Sequence, residues 1–239
     1  MRKTILLSVW LLVPVVLLAY HYGPGQSRLA RERAALKVAE AQACESAEDW
    51  RAAHRAWSEA LSIIPESETI SRQQLRLAQA RARMYIGELP EAILDLENLL
   101  NEVQGKSGNE AVTEEVRGTL AGAQYYAGWL MRLEGAASEE WLLEVEGARQ
   151  HFRLLAEEAG DLKAVESFEK NLEATIRLAR MDLSELEGLP LPKFCSGCKN
   201  VSQKCRSQRQ GKCENKGEGE PEKKDARGAG FSEMPKGGS

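Results

Sequence analysis

Four of the five cysteines, Cys195, Cys198, Cys205 and Cys213, stand close together near the carboxyl end of this chain. Four thiolates suffice for one tetrahedral zinc ion, and Cys195-Ser-Gly-Cys198 has the spacing of the usual half-site. The second half departs from that pattern, because the seven residues between Cys205 and Cys213 exceed the roughly two to four of a zinc knuckle. If the segment is exported, two disulfides are the competing expectation, and a segment without fixed pairing is the third. A thioredoxin-like redox centre is not expected, since no strand and helix precede the pair. The histidines offer less. His54 lies among Arg51, Arg55 and Glu59, and His151 stands beside Phe152, neither with a positioned nucleophile. Adjacent carboxylates such as Glu114 and Glu115 point in different directions on a helix. Gly-rich phosphate loops, nucleophile elbows and His-Glu-x-x-His helices do not occur, so the chain is expected to be non-catalytic and to need no cofactor, zinc being the alternative.

The elements that would carry these residues are helical. One spacing recurs three times, as Ala53, Trp57, Ala60, then Ala92, Leu96, Leu99, then Ala148, Phe152, Leu155. Such recurrence marks hairpin repeats that cannot bury an apolar face alone and stack on their neighbours. Ser27 is the expected cap of a first helix over Leu29–Ala47, and a second runs from Trp50 until Pro65 stops it. The next pair spans Ser71–Asn101, with Gly87 closing one helix and Pro90 opening the other. Gln104–Asn109 reads as a loop. A longer hairpin follows, Thr113–Leu133 and, after Gly135, a helix capped by Ser138 and running to about Ala159. Asp161–Leu186 then reads as one solitary amphipathic helix, suited to cover the end of a stack. The apolar run Ala123–Glu134 is expected to be core of the long hairpin, with a self-association patch as the alternative. Cys44 falls at a packing position.

The first helical pair resembles a tetratricopeptide (TPR) repeat, on Ala41 and Cys44 in its first helix and Trp50, Ala53, Trp57, Ala60 and Pro65 in and after its second. The second pair matches in Ala80, Gly87-Glu88-Leu89-Pro90-Glu91-Ala92, Leu96 and Leu99, and the third more loosely in Ala123 and Tyr126. Where the family places large residues early in each first helix, this chain has Lys37, Arg76 and Thr119. The resemblance implies an all-α, TPR-like solenoid of about three repeats with a capping helix over residues 27–188. It also implies a concave surface, lined by the first helix of each pair, that binds a partner protein or peptide. Carried over, that surface holds Gln42, Arg81 and Gln124, with Tyr85 and Arg117 nearby, side chains able to clamp backbone amides or an acidic terminus. Family context suggests a bacterial envelope adaptor working beside other membrane proteins, such as the von Willebrand-domain proteins of Bat-type clusters. The alternative is a redox or zinc module on the four clustered cysteines, with the repeats as its mount.

Two flanking segments complete the expected organisation. Residues 1–24 begin with Met1, Arg2 and Lys3 and continue in an almost charge-free run from Ile5 to Tyr22. That reads as a signal anchor spanning the cytoplasmic membrane once, with the amino terminus inside and the repeats outside. A cleaved export signal and a buried helix are the competing readings. Residues 189–239 are basic and poor in apolar residues from Gly211 on, and read as a flexible tail. No basic stripe interleaved with aromatics points to nucleic acid.

Overall fold

A computed structural model describes residues 2–20, 25–106, 108–189 and 201–214. Among the described residues there are helices and no strands. The helices are α1 (Arg2–Tyr20), α2 (Gln26–Ser46), α3 (Trp50–Ile63), α4 (Thr69–Tyr85), α5 (Leu89–Val103), α6 (Glu110–Leu133), α7 (Ser138–Glu158), α8 (Leu162–Arg180), α9 (Leu183–Glu187) and α10 (Val201–Glu214).

From α2 to α8 each helix packs chiefly on its neighbours in the chain, and α4 also reaches α6. The stack is therefore held by nearest-neighbour burial. All nine positions of the recurrent spacing are buried: Ala53, Trp57 and Ala60 between α3 and its neighbours, Ala92, Leu96 and Leu99 on α5, and Ala148, Phe152 and Leu155 on α7. The alanines let helix axes approach while the large residues fill the space between turns. Each fully buried large side chain contributes about 1.5–3 kcal/mol. Residues 123–134 are mostly core, with Ala123, Ala127, Trp129, Leu130 and Met131 buried.

Caps and turns explain most boundaries. Asp49 accepts from the amide of Ala52 at 3.0 Å and starts α3. Gly87, at φ +87°, makes the tight turn after α4, and Pro90 in the first turn of α5 needs no amide partner. Gly135, at φ +73°, turns α6 into α7. Two expected caps differ. Ser27 lies inside α2, which starts at Gln26, and the side chain of Ser138 caps nothing, because the N-cap of α7 is Ala137. The solitary helix expected over Asp161–Leu186 is broken at Met181 and Asp182. There Arg132 of α6 donates to the carbonyls of Leu178 and Met181, the latter at 2.6 Å, and so ends α8. The break lets Leu186 fold back beside Trp129, Val145 and Leu178.

Polar staples join the helices where apolar residues are missing. Lys37 pairs with Glu59 across α2 and α3 at 2.6 Å, and Glu40 and Glu59 hold its ammonium above the ordinary lysine range. Arg76 and Gln73 of α4 both donate to Glu102 of α5, and the arginine keeps that carboxyl below its usual value. Arg83 bridges from α4 to Asp95 of α5 at 2.6 Å.

The described side chains of α1, those of residues 10–18 and 20, are exposed on every face, including Trp10, Leu11, Leu12, Val16 and Leu17. Among the described residues no helix is long and apolar enough to cross a membrane. At the other end, the segment expected to be a flexible tail includes residues 201–214. They form α10, which docks on α5, α6 and α7 through buried Val201 and Cys205.

Candidate functional site

The first helices of the first two hairpins, α2 and α4, do not close on one another. Between them runs a groove of about 450 Å³. Its floor is apolar, made by Ala34 and Val38 of α2, Leu75 and Ala78 of α4, and Trp57 of α3 beneath. Its rim is polar, with Arg31 and Gln42 on one bank and Ser71 and Gln74 on the other. From Arg31 to Gln42 the α2 bank runs for about 16 Å at a rise of about 1.5 Å per residue. That length matches roughly three turns of a guest helix.

The groove follows from local sequence. Alanines at 34 and 78 leave the space that a leucine in either place would fill. Trp57 is 5% exposed, and its indole nitrogen donates to Glu45 Oε1 at 2.8 Å, which ties the ring to α2. Arg72 donates to the carbonyls of Leu61 and Ile64, at 3.2 and 3.1 Å, closing the orphan end of α3 and setting the corner into α4. Gln79 donates to Ser58 Oγ at 2.7 Å across the same pair. At one end of the groove Arg31 pairs with Glu68 at 3.2 Å. Gln42 and Gln74 are exposed, and each amide offers both donors and an acceptor to a guest.

The five residues expected to line one concave surface are not brought together. Gln42 lies on the groove rim. Arg81 is exposed but engaged, donating to Thr119 Oγ1 at 3.2 Å and standing 3.6 Å from Glu115, so it joins α4 to α6. Tyr85 stacks on Trp50 with centroids 3.7 Å apart and planes 9° from parallel. Arg117 is buried and pairs with Glu158 of α7 at 2.5 Å. Gln124 is also buried, and a Cβ on Gly147 of α7 would lie 2.9 Å from its amide. Arg117 and Gln124 therefore face the second helix of their own hairpin. The physical reason is that α6 is covered by α5 and α7 and touched by α4, which leaves it little free face. The groove residues that sequence reasoning missed, Ala34, Val38, Leu75, Ala78 and Gln74, carry no local signal beyond an alanine-rich α2.

A second cleft, of about 580 Å³, opens where the α5–α6 loop meets the start of α6 and the end of α7. Lys106, Arg117, Glu110, Glu114 and Glu158 share it, so its charges are mixed. Glu110 is held below its usual value by its own amide and that of Gly108, to which it is bonded at 3.1 Å.

His54 and His151 are half-buried, with Nε2 and Nδ1 respectively lacking a protein partner. Burial, and then the charge of Arg83 for His54 and of Arg117 for His151, lowers both imidazoles. Cys44 is half-buried against the cluster of Ala41, Ala53 and Trp57. Cys195 and Cys198 lie outside the described residues. Cys205 and Cys213 are both on α10, eight residues and about 12 Å apart along its axis. Among the described residues, no group of three or more His, Cys, Asp or Glu is placed to hold a metal ion. No family model, no curated protein and no solved structure matches this chain.

Proposed function

We propose that this protein is a non-catalytic adaptor, a TPR-like helical array mounted on a membrane, and that it holds an amphipathic helix of a partner protein in the groove between α2 and α4. The observation that carries the reading is the groove itself. An apolar floor with a polar rim is what a helix with one apolar face requires, the floor taking anchors at i, i+3 or i+4 and i+7 and the rim setting register. Trp57 supplies a rigid aromatic surface at low entropic cost, because its bond to Glu45 already fixes the ring. No general base, nucleophile or oxyanion donor converges on the groove, whose polar lining is Arg31, Gln42, Ser71 and Gln74.

Membrane attachment rests on α1. The described side chains of α1, those of residues 10–18 and 20, are apolar in the main and exposed, a surface stable against lipid rather than water. The almost charge-free sequence run from Ile5 to Tyr22 is about the ~18 residues at which an apolar stretch becomes a candidate span. Arg2 and Lys3 would keep the amino end in the cytoplasm and set the array on the other side.

The test is co-purification. The full chain is extracted from membranes in mild detergent beside an Ala78→Glu variant, which places a carboxylate on the groove floor, and an Arg81→Glu variant, which alters the α4–α6 junction. A partner retained by wild type and by Arg81→Glu but lost from Ala78→Glu supports the groove. A partner lost only from Arg81→Glu moves the site to the α4–α6 face and overturns the assignment.

A further inference from the structure

Helix α2 has three sides, and two of them are accounted for. Ala34 and Ala41 are buried toward α3, with Val38 and Cys44 half-buried among the same cluster, and Arg31, Val38 and Gln42 border the groove toward α4. The third side carries Leu29, Arg33, Leu36, Ala39, Glu40 and Ala43, which fall in one arc at about 100° per residue and are all exposed. Leu36 is 72% exposed and Leu29 41%. The outer face of a helix that begins a stack is ordinarily polar. Here two leucines recur at an interval of seven, the spacing that keeps side chains on one line of a helix paired with another.

The charges on this side say which helix that is. Arg33 and Glu40 also stand seven apart. Arg33 has no carboxylate partner among the described residues, and Glu40 is engaged by Lys37 of its own helix, at 2.8 Å, through one oxygen. Glu32, at the edge of the arc, is already balanced by Arg28 at 3.2 Å. Two copies of α2 set parallel would bring Arg33 against Arg33 and Glu40 against Glu40. Set antiparallel, about a twofold axis near residue 37, they bring Arg33 of each copy to Glu40 of the other. The same axis lays Leu36 of each copy on Ala39 of the other, a large side chain on a small one, with Leu29 within a turn of the other copy's Ala43. This self-complementarity is what a closed, twofold interface requires. We infer that the third side of α2 is a homodimer interface, occupied by α2 of a second copy running antiparallel. It lies away from the α3 side and the groove side, so each copy keeps its groove open, and the inference does not rest on the adaptor reading.

The experiment takes the full chain in mild detergent and measures the molar mass of its protein part by light scattering over a dilution series. The expected result is a reversible dimer, twice the 26.5 kDa of one chain. Leu36→Glu puts a carboxylate at the centre of the interface and leaves monomer. Arg33→Glu and Glu40→Arg each set like charges together and weaken the dimer about tenfold or more. The chain carrying both changes restores opposite charges and recovers the dimer. Leu162→Glu, at a position 86% exposed on α8, leaves the mass unchanged. All these side chains are exposed, so the thermal midpoints of the variants, extrapolated to monomer, stay together and separate dissociation from unfolding. The inference is overturned if wild type is monomeric throughout, if the dimer survives Leu36→Glu, or if the double charge exchange stays as weak as its parents.

Discussion

Trp57 and Glu45 are joined by an indole-to-carboxylate hydrogen bond of 2.8 Å across the first hairpin, and that bond fixes the floor of the groove. Removing the acceptor leaves a buried N–H unpaired, at a cost of about 1–3 kcal/mol. Glu45→Ala is therefore expected to lower the unfolding free energy by that amount, measured by urea titration. Combined with Trp57→Phe, the two losses will not add, because they share one interaction. Full additivity would show that the bond contributes nothing.

The contact of α6 with α7 depends on Gly128. A Cβ there would meet Val145 Cγ2 at 2.4 Å, with the carbonyl of Trp141 at 3.4 Å behind it. Gly128→Ala must separate the two helices and is expected to cost about 1–3 kcal/mol. At Gly147 the obstacle is the mobile end of Gln124, so Gly147→Ala should cost less. Thermal midpoints of the two variants decide the order.

Arg132 closes α8 and covers Trp141, its guanidinium lying 4.5 Å from the ring centroid. Arg132→Lys keeps the charge but loses the fork that reaches two carbonyls. We expect a loss of about 1–2 kcal/mol for lysine and more for alanine, with faster amide exchange at the end of α8 in both. Equal stability of Arg132→Lys and wild type would contradict the capping role.

Stability should fall on mild acidification. His54 and His151 are both lowered by burial, so near pH 6 the unfolded chain binds protons that the folded chain refuses. Their stabilisation is complete above the unfolded value of about 6.5 and is lost as pH falls from there through the folded values. Glu102 and Glu146 are also held low, but theirs is lost only below the ordinary carboxyl range. Urea midpoints at pH 7.5 and pH 5.5 should differ less in a His54→Gln, His151→Gln chain than in wild type. An unchanged difference would assign the pH dependence elsewhere.

The membrane reading predicts a depth-dependent penalty on α1. Arginine at Val13, near the middle of the helix, costs about 2.5–3.5 kcal/mol at the bilayer centre and should move the protein from the carbonate-washed membrane pellet into the supernatant. The same change at Leu36, exposed on α2, should not. Release by both variants, or by neither, would contradict insertion of α1.

The hairpins were legible in the sequence because alanine and large apolar residues recur at helical spacing, and all nine of those positions are buried. Lys37, Arg76 and Thr119 were legible only as departures from the family pattern. They belong to polar staples, Lys37 to Glu59, Arg76 to Glu102 and Thr119 to Arg81, and a polar residue at a packing position does not announce its partner. The groove was not legible, since a space between Ala34 and Ala78 depends on how far apart two helices settle. Arg117 and Gln124 look like surface residues in one dimension and are buried in three, because α6 is packed along most of its circumference. Helix α10 escaped notice because two buried residues in a polar run give no periodic signal.

The most direct test of the account places a photo-crosslinking amino acid at Gln74 on the groove rim, at Gln42 opposite it, and at the exposed Gln150 of α7 as a control, in the full chain in intact cells. The account predicts one and the same adduct from positions 74 and 42, absent from position 150 and abolished by Ala78→Glu. An adduct from position 150 that Ala78→Glu leaves intact, with none from the groove, would contradict it.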